Sequence, residues 1–103
     1  MEDKIVEIKI SHGEKMVISL SGRLDTVTSQ DLLNAFNGEE IKESLVSVDM
    51  KELEYISSAG LRALLAMKKD LSAKGKQLEI CNLNNICLEV FKVTGFLNIL
   101  TVK

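Results

Sequence analysis

Two adjacent serines, Ser57 and Ser58, stand where an amphipathic helix is predicted to begin, and they are the residues best placed to do chemistry. An apolar strand-like segment that ends in Asp49 precedes them, and leucines at helical spacing follow. A hydroxyl at a helix start can accept hydrogen bonds from free backbone N–H groups. An exposed hydroxyl can instead be modified, and a phosphate there would face the positive end of the helix dipole. The sequence leaves open which serine caps the helix and which, if either, is a switch.

The segment from Val46 to Leu65 resembles the signature of the STAS domain in its stand-alone form, the bacterial anti-sigma factor antagonist. In that signature, a strand ending in Asp leads through a short loop to Asp-Ser-Ser/Thr-Gly-Leu at the start of a helix. Asp49 matches the strand-end acid, and Ser58 falls on the position that a partner kinase phosphorylates in the family. The resemblance therefore implies that Ser58 is a phosphorylation site.

Two positions of this signature differ in the present chain. Ser57 stands where the family most often has Asp, and Ala59 stands where it often has Ser or Thr. The acceptor hydroxyl is retained, whereas its neighbouring acid is absent. Gly60 matches the family's glycine, although a glycine near a helix start costs about 1 kcal/mol relative to alanine. Either a close backbone approach or access for a partner should require it.

A second segment, Ser21 to Asp25, resembles the Gly-x-Leu-Asp that closes the second strand of STAS domains. The resemblance implies that an anti-sigma factor serine kinase binds the unmodified protein and thereby releases a sigma factor. Phosphorylation would end this binding, and a PP2C-type serine phosphatase would restore it. The residues that the resemblance assigns to partner binding are Asp25, Ser57, Ser58, Ala59, Gly60 and Arg62.

Composition and charge exclude several other functions. The net charge of −2 argues against direct nucleic-acid binding, which needs a concentrated basic patch. No apolar run approaches the roughly 20 residues that a membrane-spanning helix needs, and the N-terminus, which begins Met-Glu-Asp, lacks the basic-then-apolar order of a signal peptide. We therefore predict a cytoplasmic protein without membrane insertion.

The sequence offers no arrangement of residues suited to catalysis or metal binding. A nucleophilic serine needs a nearby base, but His12 is the only histidine and lies in a predicted turn. Cys81 and Cys87 lack C-x-x-C spacing and lie among apolar residues, so buried, reduced thiols are expected. We predict no enzymatic activity, no metal site and no cofactor. Asp49 is expected to organise a loop by accepting backbone N–H bonds.

Hydrophobic periodicity and turn residues predict eight elements. Thr28 with Asp31 looks like a capping box that opens the first helix, and Asn84 or Asn85 can cap the third. Gly95 should end the third helix in a Schellman motif. The predicted strands are 5–10, 16–20, 45–50, 77–81 and 98–102, and the predicted helices run from 28 to 36, from the serine pair to 73, and from about 85 to 94.

The order of these elements predicts an α/β fold. The first two strands should form an antiparallel hairpin, and the later strands alternate with helices and should therefore pair mostly in parallel. The expected STAS-like architecture is a mixed five-stranded sheet with helices mainly on one face. Residues 1–103 should form a single STAS domain, since no linker or repeat is present. STAS domains often have a further C-terminal helix, which this sequence does not predict.

Two functions from different classes remain open at this point. The first is the phosphorylatable anti-sigma factor antagonist, which the length and Ser58 favour. The second is a STAS scaffold module that docks permanently in a transport or sensory complex. The missing acid at Ser57 and the absent final helix favour the second slightly.

Overall fold

The computed structural model describes residues 6–103 as a single sheet with three α-helices. Ile5, which the sequence placed in the first strand, lies outside the described residues. The strands are β1 (Val6–Ser11), β2 (Met16–Leu24), β3 (Leu45–Ile56), β4 (Gln77–Cys81) and β5 (Thr101–Val102). The helices are α1 (Thr26–Asn37), α2 (Ser58–Ala73) and α3 (Asn85–Thr94), followed by a 3₁₀ turn at Phe96–Asn98.

The five strands lie side by side in the order in which they occur along the chain. β1 and β2 form an antiparallel hairpin, and every later neighbouring pair is parallel. Each parallel pair is connected through a helix. Each connection leads to the next strand on the same side of the sheet. Because such crossovers are right-handed, their helices α1, α2 and α3 lie on one face of the sheet. The predicted mixed five-stranded α/β sheet is confirmed.

The core lies between that face and the three helices. Alternate residues of β2, beginning with Met16 and Ile18, are fully buried, and Leu61 and Leu64 of α2 pack in the same cluster. Burial of each such side chain contributes roughly 1.5–3 kcal/mol. The opposite face of β2 is polar, as Ser19 illustrates, and alternation of this kind follows from the two-residue period of a strand.

The first helix begins earlier than predicted, so the proposed capping box of Thr28 and Asp31 is wrong. β2 continues to Leu24, and Asp25 is the N-cap of α1. The Asp25 carboxylate accepts from the Thr28 backbone N–H at 3.0 Å, and the Thr28 hydroxyl accepts from the Asp25 N–H at 2.8 Å. Thr28 is therefore the third helical residue of the box, and its position explains why it is buried.

The third strand continues to Ile56 rather than ending at Met50, so the predicted polar loop before the serine pair is part of β3. Asp49 therefore lies within a strand, although its carboxylate accepts the Lys51 N–H at 3.0 Å, as a loop organiser would. Relative to β2, β3 carries an extra residue at each of two irregularities, as in β-bulges. The aligned pairs that flank them are Ser19 and Asp49, Ser21 and Glu52, Gly22 and Leu53, and Arg23 and Tyr55.

The end of the chain also differs from the prediction. Gly95 ends α3 in the left-handed conformation with φ of 80°, as expected, but a 3₁₀ turn follows directly. The Phe96 ring contacts the Phe91 ring edge-on, with the ring centroids 6.3 Å apart. This contact is the fold-back of Phe96 that a Schellman motif predicts. The 3₁₀ turn occupies the chain as far as Asn98, and the last strand shrinks from residues 98–102 to Thr101–Val102.

The β1–β2 turn is tied to the α1–β3 connection by the single histidine. The His12 Nδ1 atom lies 2.9 Å from Glu43 Oε2, and its Nε2 atom lies 2.8 Å from Glu39 Oε1. Hydrogen bonds to Glu39 and Glu43 raise the pKa of His12 above its ordinary value of 6.5. This cluster is at the amino ends of the parallel strands, whereas the serine pair is at their carboxyl ends.

Candidate functional site

The ends of β2 and β3 bring the two sequence-predicted segments together. Leu24 pairs with Ile56 in the last register position of the two strands. The next residue of each strand, Asp25 and Ser57, is the N-cap of a helix. Asp25 and the serine pair, which are far apart in the sequence, are therefore neighbours at one edge of the sheet.

The structure assigns different positions to the two serines. The Ser57 hydroxyl accepts the Gly60 backbone N–H at 3.3 Å, so Ser57 is the capping residue of α2. Ser58 is the first residue of the helix and is exposed. The structure thereby answers the question that the sequence left open: Ser57 caps the helix, and Ser58 is accessible. The Ser58 hydroxyl lies at the helix end where a negative charge is tolerated best.

Gly60 is buried, and the close approach of two neighbouring segments explains why a glycine is needed. A Cβ atom at this position would lie 2.8 Å from Ile56 Cγ1 and 2.9 Å from the Leu24 carbonyl oxygen. Both distances are shorter than a normal contact. Of the two reasons that the sequence suggested, close backbone approach is the one that the structure provides, and it lets α2 pack against the ends of β2 and β3.

The remaining predicted contact residues lie on the first two turns of α2. Ala59 is half-buried, and Arg62 is exposed. Arg62 is four residues after Ser58, a spacing that places two side chains on the same side of a helix. Arg62 is therefore the cation of this helix that is closest in sequence to the Ser58 hydroxyl.

Several residues at the same edge were not among the predicted contact residues. The Arg23 guanidinium lies over the Tyr55 ring, 4.1 Å from its centroid. Val27, in the first turn of α1, is 74% exposed, and Ile86, in the first turn of α3, is 58% exposed. Exposed apolar and aromatic side chains at the start of helices mark a surface suited to a protein partner. In the sequence, the apolar character of Tyr55 and Val27 is the only sign that these two residues belong to a contact surface.

The electrostatics of this edge depend on Asp25 and the two arginines. The backbone N–H and the hydroxyl of Thr28 hold the pKa of Asp25 below its ordinary value, and Arg23 lowers it further. Asp25 is therefore ionised at neutral pH and remains committed to capping α1. Arg62 adds an exposed cation on the neighbouring helix α2.

Within residues 6–103, no three His, Cys, Asp or Glu side chains are grouped so that they could hold a metal ion. None of the helices there is long and apolar enough to cross a membrane. Cys87 is buried, as expected, and burial raises the pKa of its thiol. Cys81, which was also expected to be buried, is only half-buried.

The sequence profile described as "Mlab, STAS domain" matches residues 10–101. This chain belongs to the STAS domain family. Among relatives of this STAS domain is a protein of Bordetella bronchiseptica, provisionally named anti-sigma factor antagonist BtrV, which is 36% identical over 71% of the chain and 72% of the relative. The anti-sigma-B factor antagonist of Listeria monocytogenes is 26% identical over 95% of the chain and 87% of the relative.

Solved structures show the same fold. An anti-sigma factor antagonist from Mycobacterium paratuberculosis superposes with a TM-score of 0.81 and 21% identity, over 94% of this STAS domain and 84% of that chain. The antagonist SpoIIAA in its unphosphorylated form gives a TM-score of 0.74 and 17% identity, over 95% and 87% of the two chains. SpoIIAA of Bacillus in its phosphorylated form gives a TM-score of 0.66 and 18% identity, over 95% of this STAS domain and 90% of that chain.

Proposed function

We propose that this STAS domain is an anti-sigma factor antagonist controlled by phosphorylation of Ser58. In its unmodified form it binds an anti-sigma factor serine kinase in the bacterial cytoplasm, and the sigma factor is released. The protein acts by binding and needs no cofactor. This proposal rests on one observation: Ser57 caps α2, whereas the Ser58 hydroxyl is exposed.

The surface around Ser58 is suited to docking. Tyr55 and Arg23 form a stacked pair, and tyrosine and arginine are among the residues that contribute most to protein–protein binding. Exposed Val27 and Ile86 lie at the starts of two other helices at the same edge of the sheet. These apolar groups would be removed from water when the partner binds. The predicted contact residues also belong to this surface. They are Asp25, Ser57, Ala59 and Gly60, together with Arg62 further along α2.

Phosphorylation would act on this surface as a charge switch. A phosphate adds about −1.5 to −2 charges at neutral pH. At the first position of α2, the helix dipole stabilises that charge, so the fold should survive. An interface that closes over the same hydroxyl would instead bury an unpaired dianion, which is costly. The modified protein should therefore be folded and unable to bind.

The partners follow from this switch. A serine kinase must transfer the phosphate, and a PP2C-type serine phosphatase must remove it for the cycle to restart. The existence of SpoIIAA structures in both phosphorylated and unphosphorylated forms supports a cycle of this kind in a protein of the same fold. The names of the Listeria and Bordetella relatives support an anti-sigma factor as the binding partner.

The deciding experiment is phosphorylation by the serine kinase encoded nearest to this protein's gene. The chain is incubated with that kinase and Mg-ATP, and the phosphate is located by mass spectrometry of peptides. We expect one phosphate on Ser58 of the wild type and none on Ser58→Ala. Phosphate on Ser57, or kinase binding that is unchanged after phosphorylation of Ser58, would overturn the proposal and leave the permanent scaffold module as the better hypothesis.

A further inference from the structure

Asn84 connects the start of α3 to the outer half of β3 through both ends of its side-chain amide. Its Oδ1 atom accepts the Cys87 backbone N–H at 2.9 Å, which makes Asn84 the N-cap of α3. Its Nδ2 atom donates to the Leu53 carbonyl at 2.6 Å. The same nitrogen lies 3.3 Å from the carbonyl oxygens of Met50 and Lys51.

The three carbonyls belong to the part of β3 that lacks a partner strand on one side. β4 pairs with β3 only as far as Asp49, opposite Cys81. Beyond that point β3 also carries its two extra residues relative to β2. Backbone groups in such a segment lose ladder partners, and an unpaired polar group is unfavourable when it is shielded from water. The Asn84 amide takes the place of the missing strand.

A second contact holds Asn84 beside β3. Asn82, two residues earlier, has a positive φ of 57° and donates its amide to Asp49 Oδ1 at 3.1 Å. The connection from β4 to α3 is therefore fixed to β3 at two points. The path of β3 beyond Asp49 leads directly to Tyr55 and then to the serine pair.

We propose that Asn84 is a positioning residue for the docking surface around Ser58. It fixes the bulged part of β3 relative to α3, so that Tyr55 and the serine pair on one side and Ile86 on the other form one preorganised surface. The inference deepens the proposed function and rests on it for its binding readout. Preorganisation matters because a surface that must be ordered on binding has a lower affinity.

The capping and bridging functions of Asn84 can be separated by substitution. Serine is as good an N-cap as asparagine, but its side chain is shorter and has no amide to donate to β3. Asn84→Ser should therefore keep α3 and release the outer half of β3. Asn85→Ser is the matched control, since Asn85 is the exposed first residue of the same helix.

The test measures kinase affinity by calorimetry and backbone amide exchange by NMR in the same variants. For Asn84→Ser we expect exchange to quicken at residues 51–57 relative to the rest of the sheet, and affinity to fall roughly fivefold to tenfold, as the loss of about one hydrogen bond would give. Asn85→Ser should match the wild type in both. Wild-type exchange at residues 51–57 in Asn84→Ser, or quickened exchange with unchanged affinity, would overturn the inference.

Two controls keep the outcome interpretable. If the wild type does not bind the kinase, the proposed function fails, whereas the exchange measurement still decides whether Asn84 fixes β3. If Asn84→Ser does not fold, the wild type gives the answer by itself. Its Asn84 side-chain amide protons should exchange slowly in the free protein, because the β3 carbonyls hold them, and fast exchange of these protons would count against the inference.

Discussion

The backbone N–H of Ser57 donates to the carbonyl oxygen of Leu24 at 2.9 Å. This bond joins the last residue of β2 to the residue that caps α2. It places the N-caps of α1 and α2, Asp25 and Ser57, at the ends of adjacent parallel strands, so that the positive ends of two helices open on the same edge of the sheet. The exposed Ser58 hydroxyl stands at this edge.

We expect Ser58→Ala to bind the kinase as the wild type does and to keep this affinity after incubation with kinase and ATP, because it cannot be phosphorylated at this position. The change removes only an exposed hydroxyl, whereas Ser58→Glu introduces a charge into the docking surface and should weaken binding. Calorimetry on the wild type, both variants and the phosphorylated wild type compares them directly. Four equal affinities would show that Ser58 lies outside the interface.

Gly60→Ala should lower the free energy of unfolding by roughly 1–3 kcal/mol, as overpacking of a close contact does. The added Cβ would lie 2.8 Å from Ile56 Cγ1 and 2.9 Å from the Leu24 oxygen, so backbone must move. Gly13→Ala is the control, because the nearest atom to its Cβ is 3.9 Å away. Urea denaturation measures both variants, and equal stabilities would contradict the packing explanation.

Ser57→Ala should cost about 1 kcal/mol of stability through the lost helix cap. Ser57→Asp should keep the cap and also restore the acid that the STAS signature most often has at this position. If that acid orients the neighbouring hydroxyl, Ser57→Asp will be phosphorylated faster at Ser58 than the wild type is. Thermal unfolding and initial rates of phosphate transfer distinguish the two effects, and a flat or slower rate would refute a role for the acid.

Stability should depend on pH through His12. Its pKa is raised in the folded protein by hydrogen bonds to Glu39 and Glu43, so its contribution is complete below the unfolded value near 6.5. The contribution is lost as the pH rises through the folded pKa. NMR follows the titration without ambiguity, because the chain has one histidine. His12→Gln should flatten this part of the stability profile, and an unchanged profile would show that the carboxylates do not bind the protonated ring.

The sequence was sufficient for the elements whose signals are local. The periodic leucines of α2, a cap at Asn84 or Asn85 and the glycine at 95 predicted helices that the structure contains, and Asn84 is the cap. The mixed sheet followed from the alternation of strands and helices, because parallel strands require crossovers. Ser57 and Ser58 were correctly placed at the start of α2 for the same reason, since capping depends on neighbours along the chain, and the structure decided that Ser57 is the cap.

The features that the sequence did not predict depend on contacts between distant segments. β3 extends through the polar residues Lys51 and Glu52 because β2 pairs with it there and Asn84 binds its carbonyls. The cap of α1 shifted to Asp25 because β2 continues to Leu24. The Arg23–Tyr55 stack arises only from the register of two strands. Local patterns carry no information on such pairings.

The match between the spatial order of the strands and their order in the chain has a consequence for biosynthesis. Each strand that leaves the ribosome can join the edge formed just before it, and pairing of near neighbours keeps the loops to be closed short. β2, β3 and α2, including Ser58, can therefore assemble early. Asn84 emerges later, and only then can the outer half of β3 be fixed. A nascent chain would expose Ser58 before the docking surface around it is complete. It would therefore bind the kinase more weakly than the finished protein until α3 has folded.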